Sequence, residues 1–307
     1  MKYFYTFLLL LLTLSATFAA DEAGGRAGAY LRMPADARSA ALGNAGSTIL
    51  NDVNMINRNP AILSSIENKQ FSSSFMFLSL DRSYQSLAFA AGLPPRAGMS
   101  ASWIHAGVDN IEGRNCSNDY TYNYSWSQNA FVIGFGIRVL DWLSLGVSGK
   151  ILSDNLINSV SSGFSADIGA IISPLKNLNL GLVYKDLSGK VTWDTSAEAY
   201  AEFQTRRVDD YPAGYHLAFS YLLSERYLFT GTYKFSNEIE PTWHVGVEAR
   251  LGEGIFLRAG ADDTLPTLGF GTQFVVWDNI VSRMDYAFIA GRVHDGGSHL
   301  FTWFFYF

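Results

Sequence analysis

The groups with which this 307-residue chain could do chemistry are five histidines, one cysteine and 28 carboxylates, and their spacing argues against most of it. One stretch, Asp295-Gly296-Gly297-Ser298-His299, holds an acid, a hydroxyl and an imidazole. A Ser/His/Asp relay needs three side chains that converge in space, whereas neighbours in a turn and an alternating strand point apart. No H-E-x-x-H and no paired C-x-x-C offers a metal site, and neither Gly149-Lys150 nor Gly189-Lys190 is followed by the Ser or Thr of a phosphate-binding loop. Gly134-Phe135-Gly136 and Gly269-Phe270-Gly271 lack a third glycine in place, so they read as strand glycines that relieve crowding or bend a wall. Cys116 is alone, which excludes an internal disulfide. The expectation is a non-enzyme without cofactor or metal.

The charges that remain sit inside otherwise apolar runs. Arg138, Lys150, Asp167, Lys185, Lys234, Glu248, Arg250, Arg258, Asp262, Arg283 and Asp285 occupy the face opposite the apolar residues of their segments. Both signs occur in similar amounts, which predicts a self-neutralising polar interior; a substrate-selective ring would cluster one sign at one depth. Leu152, Ile171, Val183, Leu222, Val275 and Phe304 share that inward face, so the interior is not uniformly wet.

The elements that must position these residues are strands. From Lys69 onward apolar and polar residues alternate with period two, most clearly at Arg226 to Ser236 and Trp243 to Leu251. We count about fourteen such runs, the even number used by single-chain outer-membrane barrels. Their connections alternate between tight turns, such as Pro94 to Arg96 and Gly252 to Gly254, and longer loops at Asp109 to Ser125 and Thr195 to Asp210. The last run is aromatic, with Phe301, Trp303, Phe305 and Phe307 on one face, and fits a closing strand turned to lipid. Hydrophobic residues make up 48% of the chain and charged ones only 16%, which suits a lipid-facing wall. The fold class expected is therefore all-β, a transmembrane antiparallel barrel over residues 69–307.

Ahead of the strands lies a small-residue, Asn-rich stretch from Asp36 to Leu63 that is not strand. Asp36 can cap a helix from Ala37 to Leu42 that Gly43 stops, and Asn59 can cap a second with Pro60 at its first position. We expect residues 21–68 to form a lead and hatch inside the lumen. Before them, Met1-Lys2, the apolar run Tyr3 to Leu14 and Ala16, Ala19 and Ala20 read as a signal peptide over 1–20, and hence export to the bacterial outer membrane. Its removal moves the net charge from −6 to −7, with 21 basic against 28 acidic residues, which argues against a nucleic-acid partner.

Ala37-Arg38-Ser39-Ala40-Ala41-Leu42-Gly43-Asn44-Ala45, then Asn51-Asp52 and Asn59-Pro60-Ala61, resemble the N-terminal signature of the PorV/PorQ family, within the wider group of FadL-type barrels. The resemblance continues at Gly149-Lys150-Ile151, Asp167-Ile168-Gly169, Gly246-Val247-Glu248, Arg258-Ala259-Gly260 and Asp285-Tyr286-Ala287-Phe288. It departs at Leu42 and Asn44, where Met and Gly are usual, and at Asn57-Arg58, where aromatic residues are common. It implies a hatch carried by Arg38, Gly43, Asn51, Asp52, Asn59, Pro60 and Ala61, and one of two jobs. PorV-like members serve type IX-like protein secretion, with secretion-system components and exported proteins as partners. FadL-like members pass long-chain fatty acids or other hydrophobic molecules. The first is the leading expectation, the second its alternative; either implies contact with outer-membrane lipid and the barrel-assembly machinery.

Overall fold

The computed structural model describes residues 26–156, 159–195, 206–277, 280–291 and 296–307. The signal peptide expected over 1–20, and Asp295, lie outside the described residues.

The alternating runs form β1 (Gln70–Phe77), β2 (Arg82–Leu93), β3 (Ala97–Arg114), β4 (Tyr120–Leu140), β5 (Leu143–Leu156), β6 (Ser159–Leu175), β7 (Leu178–Thr195) and β8 (Arg206–Asp210). They continue as β9 (Gly214–Leu223), β10 (Tyr227–Ser236), β11 (Thr242–Leu251), β12 (Ile255–Asp262), β13 (Leu265–Trp277), β14 (Ile280–Ile289) and β15 (Ser298–Tyr306). Fourteen of them pair antiparallel in chain order, with β9 following β7, and β8 is an extra strand paired with the far half of β7. β1 pairs with β15 from Gln70 opposite Tyr306 to Phe77 opposite His299, so the sheet closes and leaves no long free edge.

Period two decides which residues face out. Along β4, Phe131, Ile133, Phe135 and Ile137 are exposed while Val132 between them is buried. On β15, Phe301 and Trp303 are exposed and Thr302 and Phe304 are buried. An outer surface this apolar is stable against acyl chains and would be costly in water.

The wall is taller than the sequence suggests on one side. Asp109 to Ser125, expected as a loop, continues β3 to Arg114 and starts β4 at Tyr120, with Ile111 opposite Tyr124 and Glu112 opposite Asn123. The polar composition of this hairpin hides its pairing. β3 to β7 run 14 to 21 residues, whereas β9 to β15 run 8 to 13. Leu222 and Val275, expected to point inward, are exposed, because Leu222 borders the turn at Ser224-Glu225 and Val275 sits at a bulge.

Among its described residues the N-terminal segment has no strand. It contains α1 (Ala29–Arg32), α2 (Ala37–Ala41) and two 3-10 turns, Val53–Met55 and Pro60–Ser65. Asp36 caps α2 by accepting from Ser39 N at 2.8 Å, and Gly43 follows with φ 68. Asn59 Oδ1 accepts from Ala61 N at 3.0 Å with Pro60 in the first position, and Asp52 caps the turn between them. The segment bonds to strands all round the wall. Ala37 N donates to Thr302 on β15, Gly43 N to Thr267 on β13 and Asn59 Nδ2 to the Ala170 carbonyl on β6. Ser220 of β9 donates to the Thr48 carbonyl, and Ser64 to Ser144 of β5. One segment can reach those strands together only from inside the ring.

Candidate functional site

Three features define the lumen: a ring of charges, a set of glycine seats and a cavity. Arg38 lies on α2, two positions beyond the cap, and Asp52 caps the turn below it, so both project from the N-terminal segment toward β11 to β14. Arg38 holds Glu248 with two nitrogens, at 2.9 and 2.6 Å, and Asp52 at 2.8 Å. Arg258 joins Glu248 at 2.6 Å to Asp285 at 2.7 Å, and Arg283 joins Asp285 at 2.7 Å back to Asp52 at 2.8 Å. Three guanidinium groups and three carboxylates thus alternate in a closed, neutral circuit. Charges this buried are tolerable only when paired and hydrogen-bonded. Burial pushes the Asp52 carboxyl up, but Arg283 and Arg38 outweigh it and hold it below the ordinary carboxylate range. Asp36 has no such partners; burial, reinforced by the Asp52 charge, raises it.

A second network lies across the lumen. Lys150 bridges Asp167 at 2.7 Å and Asp186 at 2.6 Å, and Lys185 bridges Asp167 at 2.5 Å while donating to the Asn57 carbonyl at 2.8 Å. Lys185 and Asp186 are adjacent, yet both reach this network. The register between β6 and β7 shifts on either side of Ala166, and Asp186 has φ 57, so a bulge turns its side chain inward. The run Asp186-Leu187-Ser188-Gly189, turn-forming residues within a strand pattern, is the sequence signal for it.

The glycine seats explain how backbone packs on backbone. A Cβ at Gly146 would overlap Ala61 N, one at Gly246 would overlap Leu42, and one at Gly136 would overlap the Pro60 carbonyl. Of the wall glycines that read as relief from crowding, Gly134, Gly136 and Gly269 are where the segment rests, whereas Gly271 faces Asp285 and Arg258 of the wall itself. Beside them Leu42, Ile49, Met55, Ala61 and Ile62 form an apolar cluster with Ile171 of β6.

Of the hatch residues named from sequence, Arg38 and Asp52 join the charge ring, and Gly43, Asn59, Pro60 and Ala61 lie against the wall. Asn51 is exposed, with φ 54, and accepts from Gln70 Nε2 at 2.7 Å. Lys150, Asp167, Glu248, Arg258, Arg283 and Asp285 fall into the two networks. Arg250 does not: it is exposed at the turn end of β11, its guanidinium 5.9 Å from the Phe256 ring centre, because two further residues along an inward face already clear the lumen. His299 hydrogen-bonds Tyr286 at 2.8 Å on the exposed face.

Above the charge ring, toward the longer loops, the lumen opens into a cavity of about 590 Å³. Met33, Met76, Leu78, Ile104, Ala106, Trp126, Phe235, Leu265 and Ile289 line it, with Arg58, Lys185, Lys234, His216 and Asp262 among its polar residues. This is the size and mixture of a site for a small, mainly apolar molecule.

No family model matches the chain, and no curated protein matches it. Solved structures do. The monoaromatic hydrocarbon channel CymD is 12% identical with a TM-score of 0.63, over 90% of this chain and 97% of its own. The Ralstonia pickettii toluene transporter TbuX is 12% identical with a TM-score of 0.60, over 89% and 98%. A Pseudomonas aeruginosa FadL homologue is 12% identical with a TM-score of 0.57, over 88% and 96%. The fold of this chain is that of these FadL-like barrels.

Proposed function

We propose that the chain is a bacterial outer-membrane channel through which small hydrophobic molecules enter, with residues 21–68 as a hatch that closes the lumen. The observation that carries this reading is the apolar-lined cavity of about 590 Å³ inside the barrel, directly above the buried N-terminal segment. A water-filled porin has no use for such a chamber, and an apolar solute does. The solved structures that share the fold are described as channels and transporters of hydrocarbons, which favours this role over the secretion accessory. The aromatic face of β15, with Phe301, Trp303, Phe305 and Phe307, is the part that meets outer-membrane lipid and the assembly machinery.

Expression in a bacterial host that lacks such a channel tests this directly. Uptake of radiolabelled ethylbenzene and of octanoate should rise above the empty-vector level for at least one of them. In planar bilayers the wild type should pass almost no ion current, and a variant with Asn59→Gly and Pro60→Gly should leak. Uptake of neither solute, or an open-porin current from the wild type, would remove the channel or the hatch respectively.

A further inference from the structure

We infer that the outside of the barrel carries a seat for one anionic phospholipid of the periplasmic leaflet, with an aromatic groove at the closing seam for an acyl chain and Lys69 for the phosphate. The inference needs only a barrel placed in a membrane and is independent of what the lumen carries.

The groove follows from the register of the strands around the seam. At one height Phe89 of β2 lies opposite Phe71 of β1, Phe71 opposite Phe305 of β15, and Phe305 opposite Ser282 of β14. Three phenylalanines in a row thus end at a serine, whose hydroxyl accepts from Trp303 Nε1 at 2.7 Å. No fourth ring continues the row. Beyond the serine the pairing of β14 with β13 skips Val276, and Trp277 next to this bulge stands 71% exposed. Between the phenylalanine row, Phe307 and Trp277 the outer wall therefore has a concavity of about 330 Å³, lined by apolar side chains alone.

Lys69 stands at the edge of this groove. It exchanges backbone hydrogen bonds with Phe307 and precedes Phe71 by two residues, so period two turns it to the same outer face. It is exposed, and its ammonium has neither a hydrogen bond nor an ion pair to any described residue. The short turns mark this end as periplasmic, where a lysine stem lies along the apolar wall and its charge reaches the head groups. An ammonium there attracts lipid phosphate and favours a lipid of net negative charge. The occupant is a lipid rather than a protein segment, because an apolar groove at membrane depth satisfies no backbone amide or carbonyl, and an acyl chain has none to satisfy. Its chain would cover the junction of β1 and β15 from outside.

Native mass spectrometry of the full chain, delipidated in a non-ionic detergent and titrated with dioleoyl phosphatidylglycerol or dioleoyl phosphatidylcholine, tests the seat. The wild type should take up one phosphatidylglycerol before any further lipid adds, with about fivefold preference over phosphatidylcholine, as one basic residue near the membrane surface predicts. Lys69→Gln should remove the preference while keeping a single chain-driven addition, and Lys69→Arg should restore it. Val276→Trp, which fills the groove from the bulge, should remove the single addition of both lipids in a barrel that still migrates as folded in unheated gels; should that variant not fold, Ile280→Trp fills the same groove from β14. Glycerol phosphate, the head group without chains, should not compete. Lipids that add in a statistical series with no first site are general boundary lipid and overturn the seat. A preference that survives Lys69→Gln, a single addition that survives the filled groove, or displacement by glycerol phosphate overturns it equally, and each leaves the channel reading standing.

Discussion

Arg283 Nη2 of β14 lies 2.8 Å from Asp52 Oδ2 of the N-terminal segment, the same oxygen that Arg38 approaches at 2.8 Å from its other side. One carboxylate therefore ties the segment both to itself and to the wall. Asp52→Ala should leave two buried guanidinium groups facing each other, a loss of about 3–5 kcal/mol. Because the strands pair independently of Asp52, the expected outcome is a barrel that still migrates as folded in unheated gels while the variant conducts ions. Loss of the folded band would show that the ring holds the wall as well.

Acid should open the same latch. Asp52 is held below the ordinary carboxylate range, so its contribution is present above its unfolded value and is lost as pH falls through the lower folded value. Bilayer current should stay low from neutral pH down to about 3.9, the ordinary aspartate value, and rise only below it. A midpoint near neutrality would assign the opening to another group.

Gly146 offers a different way to dislodge the segment. Gly146→Val places side-chain carbons where Ala61 backbone now rests, and overpacking of this kind costs about 1–3 kcal/mol. The expected outcome is protease cleavage within 36–63 in a barrel whose strands stay resistant. Gly252→Val is the control, since nothing lies near its Cβ position, although its φ of 68 adds some local strain.

Ile133 is exposed on the outer face at the middle of β4, opposite Ala101 and Gly149. Ile133→Arg should weaken the assembled barrel by about 2–4 kcal/mol if this face lies near the bilayer midplane. Reversible unfolding in lipid vesicles measures the shift. A value near zero would place this residue at the interface or in water.

The wall was legible because period two reports facing directly. Phe301, Thr302, Trp303 and Phe304 alternate in the chain as they do in the barrel. The caps at Asp36 and Asn59 were legible for a similar reason, since a cap is a contact between residues two or three apart. Contacts across the lumen were not. Nothing in the spacing pairs Arg38 with Glu248, 210 residues away, or separates Arg250 from its inward-facing neighbours by depth. Gly136 read as local relief because its partner is backbone, the Pro60 carbonyl, which leaves no trace in side-chain pattern. At Thr302 the hydroxyl accepts from Ala37 N at 2.8 Å and lies 2.8 Å from Ser74 Oγ, contacts that alternation does not reveal, so Asp there would disturb both segment and seam.

The path of the N-terminal segment sets the order of events when the protein matures. Arg26 meets Glu238 at the loop end, and Pro60–Ser65 rests at the turn end, so residues 26 to 65 run the depth of the bore before β1 begins. A cylinder sealed beforehand would have to be threaded end-first by a chain carrying bulky caps and buried arginines. The seam joins the first strand to the last, and Lys69 and Phe307 exchange backbone bonds of 3.1 and 3.0 Å at its lower end. The sheet is therefore free to wrap around the segment as around a mandrel and zip shut last, with the glycine hollows and the charge circuit already occupied.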